Sequence, residues 1–253
     1  MTDPRTSVIE ERLSRTSRII AVSSGKGGVG KSIVATALAL TLAQTGFRIG
    51  LFDLDFTGPS IHIILGARQV QPKEEKGLVP PIIHGLEYMS LIYFVGDNPA
   101  PLRGADVSNA LIELLSITQW GTLDYLVIDM PPGIGDAVLD LVRLIKRIEF
   151  LIVTTPSMLA FETVKKQVEL LCELKMPIIG LVVNMKMDKA EIVRAATEKL
   201  GLKYLGTIAY DPKVEESIGN TTKLLDTSVG KDLKEIVRKS IQSGRESKRN
   251  GLC

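Results

Sequence analysis

Apolar positions along the chain fall into two patterns, and their succession predicts the architecture. Short, near-continuous apolar runs recur at residues 18–22, 47–52, 86–92, 123–129, 150–156, 177–184 and 204–208. Between most of them stand longer stretches with apolar residues three and four apart, at about 32–45, 106–119, 135–147, 161–174 and 188–200. Runs of the first kind read as strands buried on both faces, and stretches of the second kind as helices. Such strands alternating with helices predict an α/β fold of three layers, a mainly parallel, doubly wound sheet covered on both sides.

Three regions depart from the alternation. Residues 6–17 are polar and charged, with Val8, Ile9 and Leu13 at helical spacing, which predicts an amphipathic helix outside the sheet. Residues 56–104 are rich in Pro and Gly and read as loop around one strand, after which Asp106 is placed to cap the next helix. Beyond Gly230, Leu233, Ile236, Val237 and Ile241 carry one more helical pattern, and the polar residues 244–253 read as a disordered tail. No repeat and no boundary stands out, so residues 1–253 are expected to form one domain.

Composition narrows the class. With 253 residues and 45% hydrophobic content, the chain has material for a large core. A formal charge of +2 gives no reason to expect nucleic acid as the partner. No apolar run reaches about 18 residues, so no stable membrane insertion is expected. The two cysteines, Cys172 and Cys253, argue against a disulfide framework and for a reducing compartment. No apolar signal stretch follows the N-terminus, and a cytoplasmic location is expected. Cys172, between Leu171 and Leu174, reads as a buried inert thiol, and His62 and His84 as surface or switch-region residues with no metal-ligand spacing.

The chemistry concentrates at Ser24-Gly25-Lys26-Gly27-Gly28-Val29-Gly30-Lys31-Ser32, between the first strand and the first long helix. Gly25, Gly30, Lys31 and Ser32 occupy the fixed positions of G-x-x-x-x-G-K-[ST]. Glycines let successive backbone N–H groups curl around phosphate oxygens, and the helix N-terminus adds its positive dipole end. Lys31 is expected to reach the β- and γ-phosphates, and the Ser32 hydroxyl to ligate Mg²⁺. Parallel strands present ligand residues at their carboxyl ends, where Asp53, Asp55, Asp129 and Asn184 stand. Asp129, ending an apolar strand before Pro131-Pro132-Gly133, has the position of a carboxylate holding Mg²⁺ directly or through water. Lys26 is a second lysine inside the loop; it makes sense as a charge supplied to the phosphates of a facing subunit.

This loop resembles the deviant Walker A motif of the MinD/ParA superfamily of P-loop ATPases, whose members form ATP-sandwich dimers. Asp53-Leu54-Asp55-Phe56-Thr57-Gly58-Pro59-Ser60, Leu102-Arg103-Gly104, Trp120-Gly121 with Leu123-Asp124-Tyr125, and Ile128-Asp129-Met130-Pro131-Pro132-Gly133 are similar to its Mrp subgroup. Val153-Thr154-Thr155-Pro156 and Asn184-Met185 complete the likeness. The resemblance implies a P-loop NTPase fold and an ATP-hydrolysing homodimer. It implies Lys26 and Lys31 as catalytic, with Asp55 on the attacking water, and residues 25–32 on the nucleotide phosphates. It further implies Asp53 and Asp129 in the Mg²⁺ water shell, Asn184 on the base, and Asp211-Pro212 as a wall of the base pocket. Asn184-Met185-Lys186-Met187-Asp188 misses a guanine-reading pattern by one residue, so ATP and ADP are the expected nucleotides.

One departure steers the expected function. Mrp iron–sulfur carriers have a Cys-x-x-Cys shortly after the Asn-Met pair, and this chain has none. No iron–sulfur cluster is therefore expected. The chain resembles instead the atypical archaeal Mrp-type branch that works with a nickel chaperone in [NiFe]-hydrogenase maturation, and nickel insertion is the expected role. An iron–sulfur carrier, a MinD/ParA-like positioning ATPase and a metabolic kinase stand as the alternatives.

Overall fold

A computed structural model describes residues 5–56, 58–95, 105–133, 135–187 and 190–241. Helix α1 (Arg5–Leu13) precedes strand β1 (Thr16–Ser23), followed by α2 (Lys31–Gln44) and β2 (Ile49–Asp53). Next come the one-turn α3 (Ile61–Ile64), the pair β3 (Lys73–Glu74) and β4 (Leu78–Val79), then β5 (Ile82–Ile83), β6 (Leu86–Ser90) and α4 (Ile92–Val95). From α5 (Ala105–Ile117) the chain alternates through β7 (Leu123–Asp129), α6 (Asp136–Leu144), β8 (Ile148–Thr154), α7 (Met158–Glu173), β9 (Ile178–Lys186), α8 (Ala190–Lys199) and β10 (Tyr204–Ala209). Helices α9 (Lys213–Glu216), α10 (Thr221–Asp226) and α11 (Ser228–Ile236) follow, the last running into a π-helical turn at Val237–Ile241.

The α/β expectation holds. Eight strands form one sheet in the order β10-β9-β8-β1-β7-β2-β6-β5, parallel throughout except for the short antiparallel edge strand β5. Alternate strand residues feed two cores. Ile19, Ala21, Leu126 and Ile128 pack with α1, α5, α6, α7 and α8 on one face. Ile20, Val22, Tyr125 and Val127 pack with α2, α3, α10 and α11 on the other. Helix α2 is buried at ten of its fourteen positions, because it is sandwiched between the sheet and α10 and α11. Its apolar residues therefore encircle it instead of forming one stripe.

Several boundaries differ from expectation for local reasons. Helix α1 stops at Leu13, and β1 begins at Thr16 because its ladder with β7 already starts there. Ile9 and Leu13 of α1 are buried against the domain's own helices. Gly46, at φ +89°, ends α2 as expected, its N–H bonded to the Ala43 carbonyl. Asp106 lies inside the first turn of α5 and does not cap it. The loop-like stretch after Phe56 holds α3, β3, β4, β5 and α4 in addition to the expected strand, which ends at Ser90. Cys172 is half-buried at the edge of one core and disulfide-bonded, not an inert buried thiol. His62 is buried within α3. The motif residues Thr57 and 102–104, the helix start at Asp188, Cys253 and the tail 244–253 lie outside the described residues. Among the described residues no helix is long and apolar enough to cross a membrane.

Candidate functional site

Strands β1, β7 and β2 lie side by side, so the segments leaving their carboxyl ends converge. In register, Val22 of β1 pairs with Asp129, and Asp129 pairs with Asp53 of β2. Two carboxylates are thereby set next to each other at the sheet's end, both fully buried. The ladder continues past the strands: Met130 N–H donates to the Val22 carbonyl at 3.1 Å, and Leu54 N–H to the Asp129 carbonyl at 3.0 Å. Gly133 N–H reaches the Ser24 carbonyl at 2.9 Å and ties the Pro131-Pro132-Gly133 turn to the glycine loop.

The loop itself is shaped by backbone that favours glycine. Gly28 and Gly30 have φ of +76° and +77°, and a Cβ at Gly30 would run into the Asn184 amide. Gly25 packs against the α7 backbone at Thr163 and Val164, where no side chain would fit. A buried contact from Gln167 Nε2 of α7 to Ser23 Oγ at 2.5 Å fastens the same helix to the end of β1. Asn184 Nδ2 donates to the Val29 carbonyl at 2.9 Å and holds the loop from the β9 side.

Lys31 opens α2 and points back at the acids. Its ammonium lies 2.6 Å from Asp129 Oδ1 and 3.6 Å from Asp55 Oδ2, and reaches Ser32 Oγ at 3.4 Å. Asp53 accepts the N–H groups of Asp55 and Ile61, each at 3.2 Å, so its two oxygens organise the segment leading into α3. Burial, together with the charge of Asp129, pushes the Asp53 carboxyl up to about 8. Burial also raises Asp129, although Lys31 pulls it down. Asp129 Oδ2 is buried and has no hydrogen-bond partner among the described residues. Two buried carboxyls facing one ammonium, with an oxygen left over, form a site that can accept a cation.

The predicted residues gather around two adjoining hollows. A cleft of about 350 Å³ is lined by Lys26, Gly27, Gly28, Val29, Gly30, Lys31, Ser32 and Asp55, with Asp53 and Asp129 buried behind it. A smaller pocket of about 150 Å³ opens beside Gly30 and brings together Asn184, Asp211 and Pro212. Asp211 spends its carboxylate on its own loop, accepting from Lys213 N–H at 3.0 Å and from Ser228 N–H at 3.0 Å, which holds its carboxyl below the usual range. Ser60 and Pro132, from the quoted motifs, also line the larger cleft, as do Ile63, Glu215 and Ile218, which were not singled out from sequence. For Ile63 the signal was the mostly apolar Ile61-His62-Ile63-Ile64-Leu65. A larger hollow of about 450 Å³, between α1 and residues 144–147, holds none of the predicted residues.

Comparison with known proteins bears on what these groups do. The ParA family model, described as the NUBPL iron-transfer P-loop NTPase, matches residues 15–243. The chain is similar to the iron–sulfur cluster carrier protein of Methanocaldococcus jannaschii, with 36% identity across 92% of this chain and 87% of that one. It is 46% identical to the iron–sulfur cluster carrier protein of Pseudomonas fragi over 68% of this chain, and the match spans 62% of that relative's length. Among solved structures, the nucleotide-binding protein of Archaeoglobus fulgidus in complex with ADP superimposes with a TM-score of 0.75. It is 29% identical and the match covers 87% of this chain and 92% of that one. These relatives overturn the expectation of nickel insertion with a nickel chaperone, since both curated relatives are named for iron–sulfur clusters. The nickel expectation had rested on the missing Cys-x-x-Cys, and the glycine loop, the paired acids and the sheet are formed without those thiols.

Proposed function

The chain belongs to the ParA family of NUBPL-type iron-transfer P-loop NTPases, and from that premise we propose that it is a homodimeric ATPase of iron–sulfur cluster assembly. ATP hydrolysis times the passage of a cluster between proteins. The observation that carries the ATPase reading is the meeting of Lys31 with Asp129 and Asp55, beside Asp53 in register with Asp129, beneath a glycine loop at the end of a parallel sheet. The similarity to iron–sulfur carriers supports the cargo.

In this reading the N–H groups of residues 27–32 cradle the phosphates, and Lys31 leaves Asp129 to meet the β- and γ-phosphates. Asp129 with its unpartnered Oδ2, Asp53, and the Ser32 hydroxyl fit Mg²⁺, the carboxylates through water. When bound, the ion spreads the charge that develops on the phosphate oxygens. Asp55 orients the attacking water once Lys31 has turned to phosphate. Lys26 lines the mouth of the cleft, and its ammonium meets no carboxylate among the described residues. It reaches across the dimer to the partner copy's phosphates. Asn184 reads the base, and Asp211-Pro212 wall its pocket. The cluster is substrate here, and no three His, Cys, Asp or Glu converge as a metal site among the described residues.

Two measurements test the reading. The protein is incubated anaerobically with iron and sulfide, then mixed with an apo-ferredoxin, and the acceptor's visible absorption is followed with ATP, ADP or no nucleotide. Transfer that depends on nucleotide supports the assignment; transfer indifferent to nucleotide, or none, overturns it. Lys26→Ala should lose ATP-induced dimerisation and hydrolysis while still binding ADP. Normal hydrolysis by that variant would remove Lys26 from its role.

A further inference from the structure

The larger cleft and the smaller pocket share three lining residues, Gly30, Ile33 and Glu215. A nucleotide with phosphates at the glycine loop and its base beside Asn184 must carry its sugar past these three. Gly30 has no side chain and Ile33 is apolar, so Glu215 supplies the polar chemistry at the junction. A carboxylate is the wrong group to face phosphate, because like charges repel. It is the right group to face a ribose, whose 2′ and 3′ hydroxyls both donate.

The backbone presents Glu215 there deliberately. It stands in the one-turn α9, which is clamped on two sides. Asp211 accepts from Lys213 N–H and from the Ser228 N–H and hydroxyl of α11. At the other end, Gly219 N–H donates to the Ile64 carbonyl of α3 at 3.1 Å, and Gly66 packs so closely on the Gly219 carbonyl that a Cβ there would collide. The Ser217 hydroxyl donates to the Val214 carbonyl at 2.6 Å and closes the turn. Glu215 itself is exposed, and its carboxylate makes no ion pair among the described residues, so no structural duty occupies it.

We propose that Glu215 accepts the ribose hydroxyls of the bound nucleotide and makes the site prefer ribonucleotides to their deoxy forms. The proposal rests on reading the cleft as an ATP site. Binding of ADP, 2′-deoxy-ADP, 3′-deoxy-ADP and inosine diphosphate is measured by calorimetric titration for the wild type, Glu215→Ala and Glu215→Gln. The wild type should bind ADP about tenfold more tightly than at least one deoxy analogue, the weight of one charge-assisted hydrogen bond. Glu215→Ala should bind ADP about tenfold more weakly and show no preference between ADP and that analogue. Glu215→Gln, which keeps an acceptor oxygen, should retain part of the preference. Full discrimination by Glu215→Ala overturns the proposal. So does a loss that follows the exocyclic amine, with inosine diphosphate and ADP converging instead, since the carboxylate would then read the base. A wild type that binds no nucleotide at all defeats the ATP-site reading itself, a result distinguishable from either of these.

Discussion

At the glycine-loop end of the cleft Lys31 is 6% exposed and Asp53 and Asp129 not at all, whereas at the Asn184 end Tyr210 is 52% exposed and Glu215 stands in solvent. The first end is built from strand termini locked in register and one glycine loop. The second joins the ends of β9 and β10 to the one-turn α9 and a loop held by a few hydrogen bonds around Asp211. Charges at the buried end are strongly coupled, so a change there acts on stability and chemistry together. At the exposed end water screens each group, so a change acts on affinity with little effect on the fold.

The contrast breaks most visibly at Lys31. Lys31→Ala should slow ATP hydrolysis at least about a hundredfold. It should also cost about 3–5 kcal/mol in denaturant unfolding near neutral pH, because Asp129 is left buried beside Asp53 without its cation. Unchanged stability would mean that the buried end is not electrostatically tied.

Next in size is the response to pH. Asp53 titrates near 8 in the folded protein against 3.8 as its ordinary value, so the folded state holds a proton that the unfolded chain has released. The stability this contributes is complete below about pH 4 and is lost as pH rises toward 8. Unfolding midpoints of the nucleotide-free protein should therefore fall between pH 5 and 8 (an approximate window), and Asp53→Asn should flatten that fall. At the exposed end the sign reverses: Asp211 is lowered by its hydrogen bonds, so its contribution is present above its ordinary range and fades in acid. A wild-type profile that is level across the window would remove the contrast.

Gly30 sits where the two ends meet. Gly30→Ala adds a Cβ at φ +77° against Asn184 and should weaken ADP binding about tenfold, with strain of about 1–2 kcal/mol visible in unfolding. The smallest effect is expected at Ser228→Ala, which removes a 3.3 Å hydroxyl contact and keeps the 3.0 Å backbone bond to Asp211. ADP affinity should drop by only about two- to threefold, with unfolding unaltered. A larger loss would show that the α9 clamp is stiffer than its exposure suggests.

Legibility followed the same division. The glycine loop and the acids ending β2 and β7 could be named from sequence because the loop motif is contiguous and apolar strands announce their ends. Their side-by-side register could not, since β1 and β2 are separated in the sheet by β7, a strand more than seventy residues later in the chain. Helix α3 was hidden for a different reason: its first N–H is satisfied by Asp53, eight residues upstream, not by a local capping side chain. Asp211 was expected beside a nucleotide base and does line the smaller hollow with Asn184, but its carboxylate is engaged by Ser228, a contact with no local pattern. Glu215 gave no signal, because an acidic residue in a polar stretch looks like ordinary solvated surface.

The sheet's margins decide how copies of the chain can meet. At one margin β5 offers two residues of ladder, directly after Pro80 and Pro81, which lack the N–H that a further strand would need. At the other, β10 pairs with β9 through two register shifts, so its free side is uneven. Strand addition, the route by which open sheets polymerise into fibres, is thus discouraged at both borders. With both borders blunted in this way, the sheet is poorly suited to recruit a strand from another copy of the chain.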